Sequence, residues 1–331
     1  MLELLKKLTS ITAPSGNEEP LRELISKEIA PYVDEMTIDD LGSLIAHKKG
    51  SGERVMFAAH MDEIGIIVTF ICDNGLLKFS NLGGVSAPFA LFQRVRFPNG
   101  TTGVVAFENK DADTLKNLKL SDLYIDIGAR SREEAEQLVG IGDAACFCGE
   151  FSVNGDSVIS KALDDRAGCC VLIETIRQMQ DYSNDLYFVF TFGEELGLRG
   201  AKASAPAIAP DYAVALDVTR TGDVPGMLKM AVSVGSGPAV KIKDSSFLAH
   251  PYIKKLMVDI CTENNIPYQL EVLEKGGTDS GAIHLTNGGV PSGCISIPTR
   301  YIHTPCELCS ASDLENAVRL TLGLIEKGFH M

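Results

Sequence analysis

The stretch DLYFVFTFGEE (residues 185–195) is an almost uniformly apolar run that ends in two adjacent glutamates, Glu194 and Glu195. Three other apolar runs end in, or are soon followed by, a histidine or an aspartate: VMFAAH (55–60), YAVALD (212–217) and SGCISIP (292–298). Runs this apolar are typical of strands buried on both faces, as in a parallel sheet covered by helices. We therefore predict an α/β fold with a largely parallel sheet.

The polar residues at the ends of these runs form a candidate site. In open α/β sheets, ligands bind beyond the carboxyl ends of the strands, so residues that follow different strands converge there. Histidine nitrogens and carboxylate oxygens are suitable ligands for zinc or a similar divalent ion. The candidate residues are His60, Asp164, Glu194, Glu195, Asp217 and His303.

Each candidate has a simpler interpretation when it is taken alone. His60 could be a surface histidine, and Asp164 with Asp165 could supply favourable charge at a helix N-terminus. Two adjacent carboxylates after an apolar strand are harder to explain, because their burial costs free energy unless a cation compensates for it. Asp217, which lies within ALDV, poses the same problem. Metal binding explains all of these burials together.

The number of candidate ligands indicates two metal ions. Four side chains can serve as terminal ligands: His60, Glu195, Asp217 and His303. With one further carboxylate as a bridge, each ion has three protein ligands and open positions for water and substrate. One glutamate remains, and a free carboxylate in such a site is suited to act as a general base. The predicted reaction is hydrolysis of an amide, in which the ions lower the pKa of a water molecule and polarise the carbonyl.

Asp62 is a further candidate, because it stands two residues after His60 in HMDEIG (60–65). A carboxylate at this position can accept the second imidazole N–H. That contact would fix the tautomer of His60 and raise its basicity as a ligand.

Composition and charge exclude several classes of protein. The chain has 331 residues, of which 45% are hydrophobic, and a formal net charge of -14. Without a basic stripe for phosphates, nucleic acid and anionic membranes are not expected partners. The N-terminal MLELLKKLTSITAPSG does not resemble a signal peptide, and no run is long enough to span a bilayer. We expect a cytoplasmic protein whose nine cysteines are reduced; the CxC at Cys146 and the CxxC at Cys306 lack a second, properly spaced pair for a zinc ribbon.

Helices are predicted between the apolar strands. The first begins at a capping box formed by Ser15 and Glu18, and the last runs from Ser312 to Gly328. Two more have helical periodicity, over residues 164–179 and 251–263.

One stretch, from about residue 67 to residue 157, interrupts this alternation. It is rich in glycine and short β-like runs, and it contains a hairpin predicted to turn at Asn99–Gly100. A short helix inside it opens at Ser131. We predict a small β-rich domain inserted into an α/β domain made of residues 1–66 and 158–331.

Six motifs, spread over most of the chain, give the sequence a family resemblance. They are AHMDEIG (59–65), KALDDRAG (161–168), FTFGEELGLRGA (190–201), ALDVT (215–219), GGTDSGAIH (276–284) and RYIHTP (300–305). In this order they resemble the tetrahedral aminopeptidases, also called the glutamyl aminopeptidase and cellulase M-like family of dinuclear zinc exopeptidases. The resemblance implies a zinc-exopeptidase-like α/β/α catalytic domain with a mixed, largely parallel sheet. It also implies an enzyme that removes N-terminal residues from short peptides.

The resemblance further assigns roles to individual residues. It implies that His60 and Asp217 hold one metal, that Glu195 and His303 hold the other, that Asp164 bridges them and that Glu194 is the base. It places Thr278 and Asp279 near the substrate, where the simpler interpretation is a plain turn. The insert is implied to be a β-barrel-like dimerisation domain, and dimers to form a hollow tetrahedral dodecamer. The sequence departs from the family at Gly193, where a polar residue such as glutamine is expected.

Several alternatives stay open at this point. A dipeptidase, carboxypeptidase or deacylase would use a similar set of metal ligands. Substrates with a blocked amino or carboxyl end would distinguish these enzymes from an aminopeptidase. A glycosidase needs two carboxylates about 5 to 10 Å apart across the bond; it would work without metal, and the chain has no Trp to stack on sugars. A structural metal site would not need the spare Glu194. Neither the preferred N-terminal residue nor the choice among Zn²⁺, Co²⁺ and Mn²⁺ follows from the sequence.

Overall fold

The computed structural model describes residues 1–107, 112–226 and 229–331. In chain order its helices are α1 Leu2–Ser10, α2 Glu19–Ile29, α3 Ala87–Ala90, α4 Ala112–Lys116, α5 Arg132–Glu136, α6 Leu163–Gln178, α7 Arg199–Ile208, α8 Pro251–Glu263, α9 Ser280–Ile283 and α10 Ala311–Lys327. Its strands are β1 Glu35–Ile38, β2 Leu44–Lys48, β3 Arg54–His60, β4 Gly65–Ile71, β5 Leu77–Leu82, β6 Arg94–Arg96, β7 Thr102–Phe107, β8 Leu123–Asp126, β9 Ala144–Phe147, β10 Ser152–Asn154, β11 Ser157–Ser160, β12 Asp185–Thr191, β13 Tyr212–Thr219, β14 Ala239–Lys243, β15 Gln269–Val272, β16 Ser292–Pro298 and β17 Glu307–Ser310.

The centre of the fold is an eight-stranded mixed sheet. Its strand order is β1-β2-β12-β3-β13-β16-β14-β15. The four middle strands, β12, β3, β13 and β16, are parallel to one another, whereas β2 and β14 join them antiparallel. The parallel strands are the four apolar runs of the sequence, which confirms the predicted fold class.

Both faces of the sheet are covered by helices. In β3, Val55 and Phe57 belong to one buried core, with residues of α1, α2, α6, α8 and α10. Met56 and Ala58 belong to the opposite core, with residues of α7 and α9. Alternate side chains of a strand point to opposite faces, so a strand buried on both sides must be apolar throughout. This explains why the middle strands show no alternation of polar and apolar residues.

The stretch between β3 and β11 contains a closed six-stranded barrel. Its strand order is β4-β5-β8-β7-β6-β9, and it has a separate apolar core. The predicted hairpin joins β6 to β7, and Gly100 adopts a φ of 91°, which favours glycine. Closure leaves no free sheet edge, which makes so small a β unit self-contained. The strand β10 lies outside the barrel and pairs with β11, which in turn pairs with β17.

The helices near the two ends of the chain begin at other residues than the sequence predicts. The helix α1 precedes the predicted first helix and buries Leu4, Leu5 and Leu8. The prediction of a capping box at Ser15 is wrong, because α2 begins at Glu19 and has no side-chain cap. The last helix is capped two residues earlier than predicted, by Ser310.

Within the described ranges, no helix is long and apolar enough to cross a membrane.

Candidate metal centre

The candidate residues meet at the carboxyl edge of the four parallel strands. His60 is the last residue of β3, and Glu194 and Glu195 follow β12 within a few residues. Asp217 lies two residues before the end of β13, because pairing with β16 extends that strand to Thr219. His303 follows β16. The sheet thus brings together residues that are far apart in the sequence, as the strand pattern predicted.

Asp164, at the start of α6, lies between the two histidines. Its Oδ1 is 3.0 Å from Nε2 of His60, and its Oδ2 is 3.3 Å from Nε2 of His303. Asp164 belongs to two groups of possible ligands. The first group is His60, Asp164 and Asp217, and the second is Asp164, Glu195 and His303. In each group the atoms lie within 4.8 Å of one another. One carboxylate can therefore contribute to two neighbouring ion sites.

Glu194 stands beside these groups without belonging to either. Its Oε2 is 4.0 Å from Nε2 of His60. Its backbone N–H donates to Asp62 at 2.9 Å. Glu194 lines the same cavity as the candidate ligands.

Burial disfavours the charged form of every titratable group in this cluster, so the pKa of each group depends on the hydrogen bonds and charges that oppose burial. Burial would raise the pKa of Asp164, but hydrogen bonds with His303 and His60 hold that pKa well below its usual range. Burial would lower the pKa of His303, but contacts with Asp164 and Glu195 raise it to about 11. Burial raises the pKa of Asp217 and of Glu194 well above the ordinary carboxyl value, although His60 opposes the shift. The cluster therefore contains more buried acid than its two histidines neutralise.

Asp62 organises the site from behind. It is fully buried, and its Oδ1 lies 3.3 Å from Nδ1 of His60, with its backbone carbonyl oxygen slightly nearer at 3.0 Å. The two oxygens of its carboxylate also accept the backbone N–H groups of Glu194 and Glu195. One side chain thus fixes both the ring of His60 and the backbone that carries the two glutamates.

Two further carboxylates hold the ligands through their backbone. Glu307, in β17, accepts the N–H of Asp164 through Oε2 at 3.0 Å and the N–H of His303 through Oε1 at 2.8 Å. Asp165 accepts the N–H of His60 at 3.2 Å. Burial raises the pKa of Glu307 to about 8. Sequence reasoning missed Glu307, because nothing in its local sequence signals a contact with residue 164.

Ser15 and Glu18 also belong to this supporting shell. The hydroxyl of Ser15 donates to Oδ2 of Asp62 at 2.5 Å, and the carboxylate of Glu18 accepts the N–H of Gly193 at 3.0 Å. Burial, with the nearby Asp62 as a further cause, raises the pKa of Glu18 to about 7. Gly193 has a φ of 59°, a region that favours glycine. The pattern at residues 15–18 predicts a helix cap, but the side chains of Ser15 and Glu18 contact the site instead.

Thr278 and Asp279 are buried behind the site. Asp279 accepts a hydrogen bond from the hydroxyl of Thr191 at 2.6 Å, and burial raises its pKa to about 6. The hydroxyl of Thr278 has no partner in the described structure. Neither residue lines the cavity, although their neighbours Gly276 and Gly277 do.

A cavity of about 460 Å³ opens onto the cluster. Besides the six candidate residues it is lined by apolar side chains, including Leu198 and Ile302, and by two exposed cations, Arg220 and Lys275. Neither cation has an ion-pair partner among the residues that the structure describes. The cavity therefore combines a buried acidic cluster with unpaired positive charge.

The remaining histidines and the cysteines lie outside the two ligand groups. The histidines are His47, His250, His284 and His330. All nine cysteines, each within the described ranges, are free thiols.

Comparison with known proteins gives a consistent result. The chain matches the sequence profile of the M42 glutamyl aminopeptidases over residues 42–320. It is 56% identical over 325 residues to a protein of Acetivibrio thermocellus named "Putative aminopeptidase", with 98% of each chain covered.

Two solved structures show the same fold over nearly the whole chain. An aminopeptidase from the archaeon Desulfurococcus kamchatkensis aligns with a TM-score of 0.95 at 41% identity, covering 99% of this chain and 94% of that one. The TET1 peptidase of Pyrococcus horikoshii, which can assemble into a tetrahedron or a large octahedral shell, aligns with a TM-score of 0.86 at 35% identity and 98% coverage of both chains.

The two hydrogen bonds that Glu307 accepts from the backbone of Asp164 and His303 give a first testable prediction. In Glu307→Gln, the amide presents an NH₂ group to one of the two N–H donors, so Asp164 and His303 lose their common anchor. We expect the affinity for Zn²⁺ to fall by about 10- to 100-fold, the usual range for groups that orient metal ligands. Equilibrium dialysis with elemental analysis measures it, and the exposed Glu326→Gln is the control. Unchanged affinity in Glu307→Gln would contradict this role.

Proposed function

Because the chain belongs to the M42 glutamyl aminopeptidase family, we propose that it is a two-metal aminopeptidase that removes single residues from the N-terminus of short peptides. Family membership supports the aminopeptidase activity. The metal mechanism is supported mainly by one observation, the position of Asp164 between His60 and His303.

The residues present fit two divalent cations. The donor set is imidazole nitrogen and carboxylate oxygen, which suits Zn²⁺, Co²⁺ or Mn²⁺. The raised pKa values of the buried Asp217 and Glu194 indicate a deficit of positive charge that cations would fill. In the proposed assignment, one ion is held by His60 and Asp217, the other by Glu195 and His303, and both by Asp164.

When bound, such ions lower the pKa of a water molecule and polarise the substrate carbonyl. The chain's own residues supply the remaining functions. Asp62 and Asp165 orient His60 so that its Nε2 faces the cavity. Glu194, which is not needed as a ligand, takes the proton of the attacking water and delivers it to the leaving amine.

The acidic cluster also provides a site for the substrate's amino terminus. A terminal ammonium is stabilised beside several carboxylates, and this contact places the first peptide bond over the reacting groups. Arg220 and Lys275, in the same cavity, are available for a carboxylate of a short peptide. This combination favours an exopeptidase over an enzyme that cleaves internal bonds.

We assign the barrel as a dimerisation domain within a larger homo-oligomer, a dodecamer built from dimers. The support is the similarity to the Pyrococcus horikoshii peptidase and the apolar surface of the barrel. Several large apolar side chains of this unit are exposed, including Phe70, Phe89, Phe92 and Ile141. Apolar surface of this kind often marks an interface between proteins.

The two adjacent glutamates should respond differently to substitution. We expect Glu194→Gln to retain two ions per chain and to lose turnover by about 10²-fold or more, because it removes proton transfer. Glu195→Gln should instead lower the metal content towards one ion per chain. Elemental analysis and steady-state kinetics on both variants measure the difference. An active Glu194→Gln enzyme with normal metal content would disprove the assignment of the base.

A third prediction concerns the free amino terminus. Acetylation removes the charge and the lone pair of the amine, and losing one hydrogen bond to a charged group lowers kcat/KM by about 10- to 100-fold. Mass spectrometry of digests should show stepwise release of N-terminal residues from the free peptide, and cleavage of the acetylated peptide that is slower by this factor. The same peptide with an amidated C-terminus is the control and should still be cleaved. Cleavage at internal bonds, or equal rates on free and acetylated peptides, would favour an endopeptidase or deacylase.

A fourth prediction tests the assembly. Phe92 is 66% exposed on the barrel and has a φ of 60°, which Asp tolerates better than most residues. Phe92→Asp should lower the oligomeric mass in light scattering without changing the circular dichroism spectrum, whereas Phe92→Tyr should keep the wild-type mass. A wild-type chain that is monomeric at micromolar concentration would contradict the proposed oligomer.

A further inference from the structure

The barrel approaches the candidate metal centre through the pair of glycines that follows β5. Gly83 and Gly84 pack directly against Glu195 and His303, the two residues proposed to hold one of the ions. No other barrel glycine in the described residues makes such an approach to a candidate ligand.

Gly84 lies next to Nδ1 and Cε1 of the His303 ring. A Cβ placed on Gly84 would be 2.3 Å from Nδ1 and 2.6 Å from Cε1 of that ring, far inside van der Waals contact. The other ring nitrogen, Nε2, lies 3.1 Å from Glu195 and 3.3 Å from Asp164. The ring is thus confined between the barrel backbone and the acidic cluster. Gly84 does not have a positive φ, so the requirement for glycine there is one of space alone.

Gly83 has the same relation to Glu195. A Cβ on Gly83 would be 2.6 Å from Oε2 and 3.0 Å from Cβ of Glu195. Gly83 also has a φ of 74°, which favours glycine independently of space. His60 and Asp217, proposed to hold the other ion, receive no comparable contact from the barrel glycines.

We infer that the Gly83–Gly84 segment is a positioning element for Glu195 and His303, so that the barrel completes one ion site and leaves the other to the catalytic domain. The segment acts by limiting how far the two ligands can move away from Asp164. This inference rests on the proposed two-metal site. It predicts that enlarging Gly84 impairs the two ion sites unequally.

The test is the substitution Gly84→Ala, with the number and affinity of bound Zn²⁺ ions as the readout. We expect the binding step of the ion held by Glu195 and His303 to lose at least about 10-fold in affinity, and the other step to stay within a factor of about two. The matched control is Gly140→Ala, in the same barrel and also without a positive φ, where a Cβ would meet nothing closer than 3.7 Å. Equal loss at both sites, or no loss, would overturn the inference.

A double-variant cycle keeps the test decisive if Gly84→Ala lowers stability. If the added methyl acts through the His303 ring, then Gly84→Ala should change neither metal binding nor melting temperature further in a His303→Ala background. A persistent effect in that background would overturn the inference. The wild-type protein separates the two hypotheses: fewer than two ions bound to it would refute the proposed two-metal function, whereas two ions with additive variants would refute only the role of the glycines.

Discussion

The burial of many carboxylates at one edge of a sheet is the constraint on which this structure depends. A buried carboxylate is costly unless hydrogen bonds or cations compensate for its charge. Here Asp164 is compensated by two histidines and Asp62 by backbone N–H groups and a serine hydroxyl. Asp217 and Glu194 receive less, and their raised pKa values reflect it. The free-energy cost of burying these carboxylates together is therefore an argument for cation binding at this edge of the sheet.

The groups that hold the site in place come from remote parts of the chain. Ser15 precedes α2, Glu307 lies in β17, and Asp62 follows β3. Glu307 accepts the backbone N–H groups of Asp164 and His303, Asp62 accepts those of Glu194 and Glu195, and Ser15 donates to Asp62. Groups that act on the backbone restrict where a ligand's side chain can begin, which defines a site more firmly than contacts with its tip. The site is therefore a product of the whole α/β domain and not of one motif.

The sequence reveals strand ends well because burial on both faces requires continuous apolar runs, and a polar residue that ends such a run is conspicuous. It reveals the supporting shell poorly, because a hydrogen bond between Ser15 and Asp62 leaves no local trace. The pattern Ser15-x-x-Glu18 is a good helix cap by local rules, yet both side chains bond to residues more than 40 positions away. The last helix likewise begins two residues before the predicted cap at Ser312: Ser310 accepts the N–H of Asp313, and the hydroxyls of both serines donate to Asp156. Local rules fail where a tertiary partner offers the same group a better contact.

The contact between the barrel and the metal centre links two proposed functions, assembly and ion binding. If dimerisation stabilises the barrel in the position seen here, it also restrains the backbone of Gly84 behind His303. Linkage is reciprocal, so whatever assembly contributes to the affinity of that ion, the ion contributes equally to assembly. The size of this effect depends on how rigidly the barrel sits on the α/β domain. A Cβ added at Gly84 would lie only 2.3 Å from Nδ1 of His303, so the space between this segment and the ring does not admit a methyl group, and an inward shift of the barrel would press on the ligand.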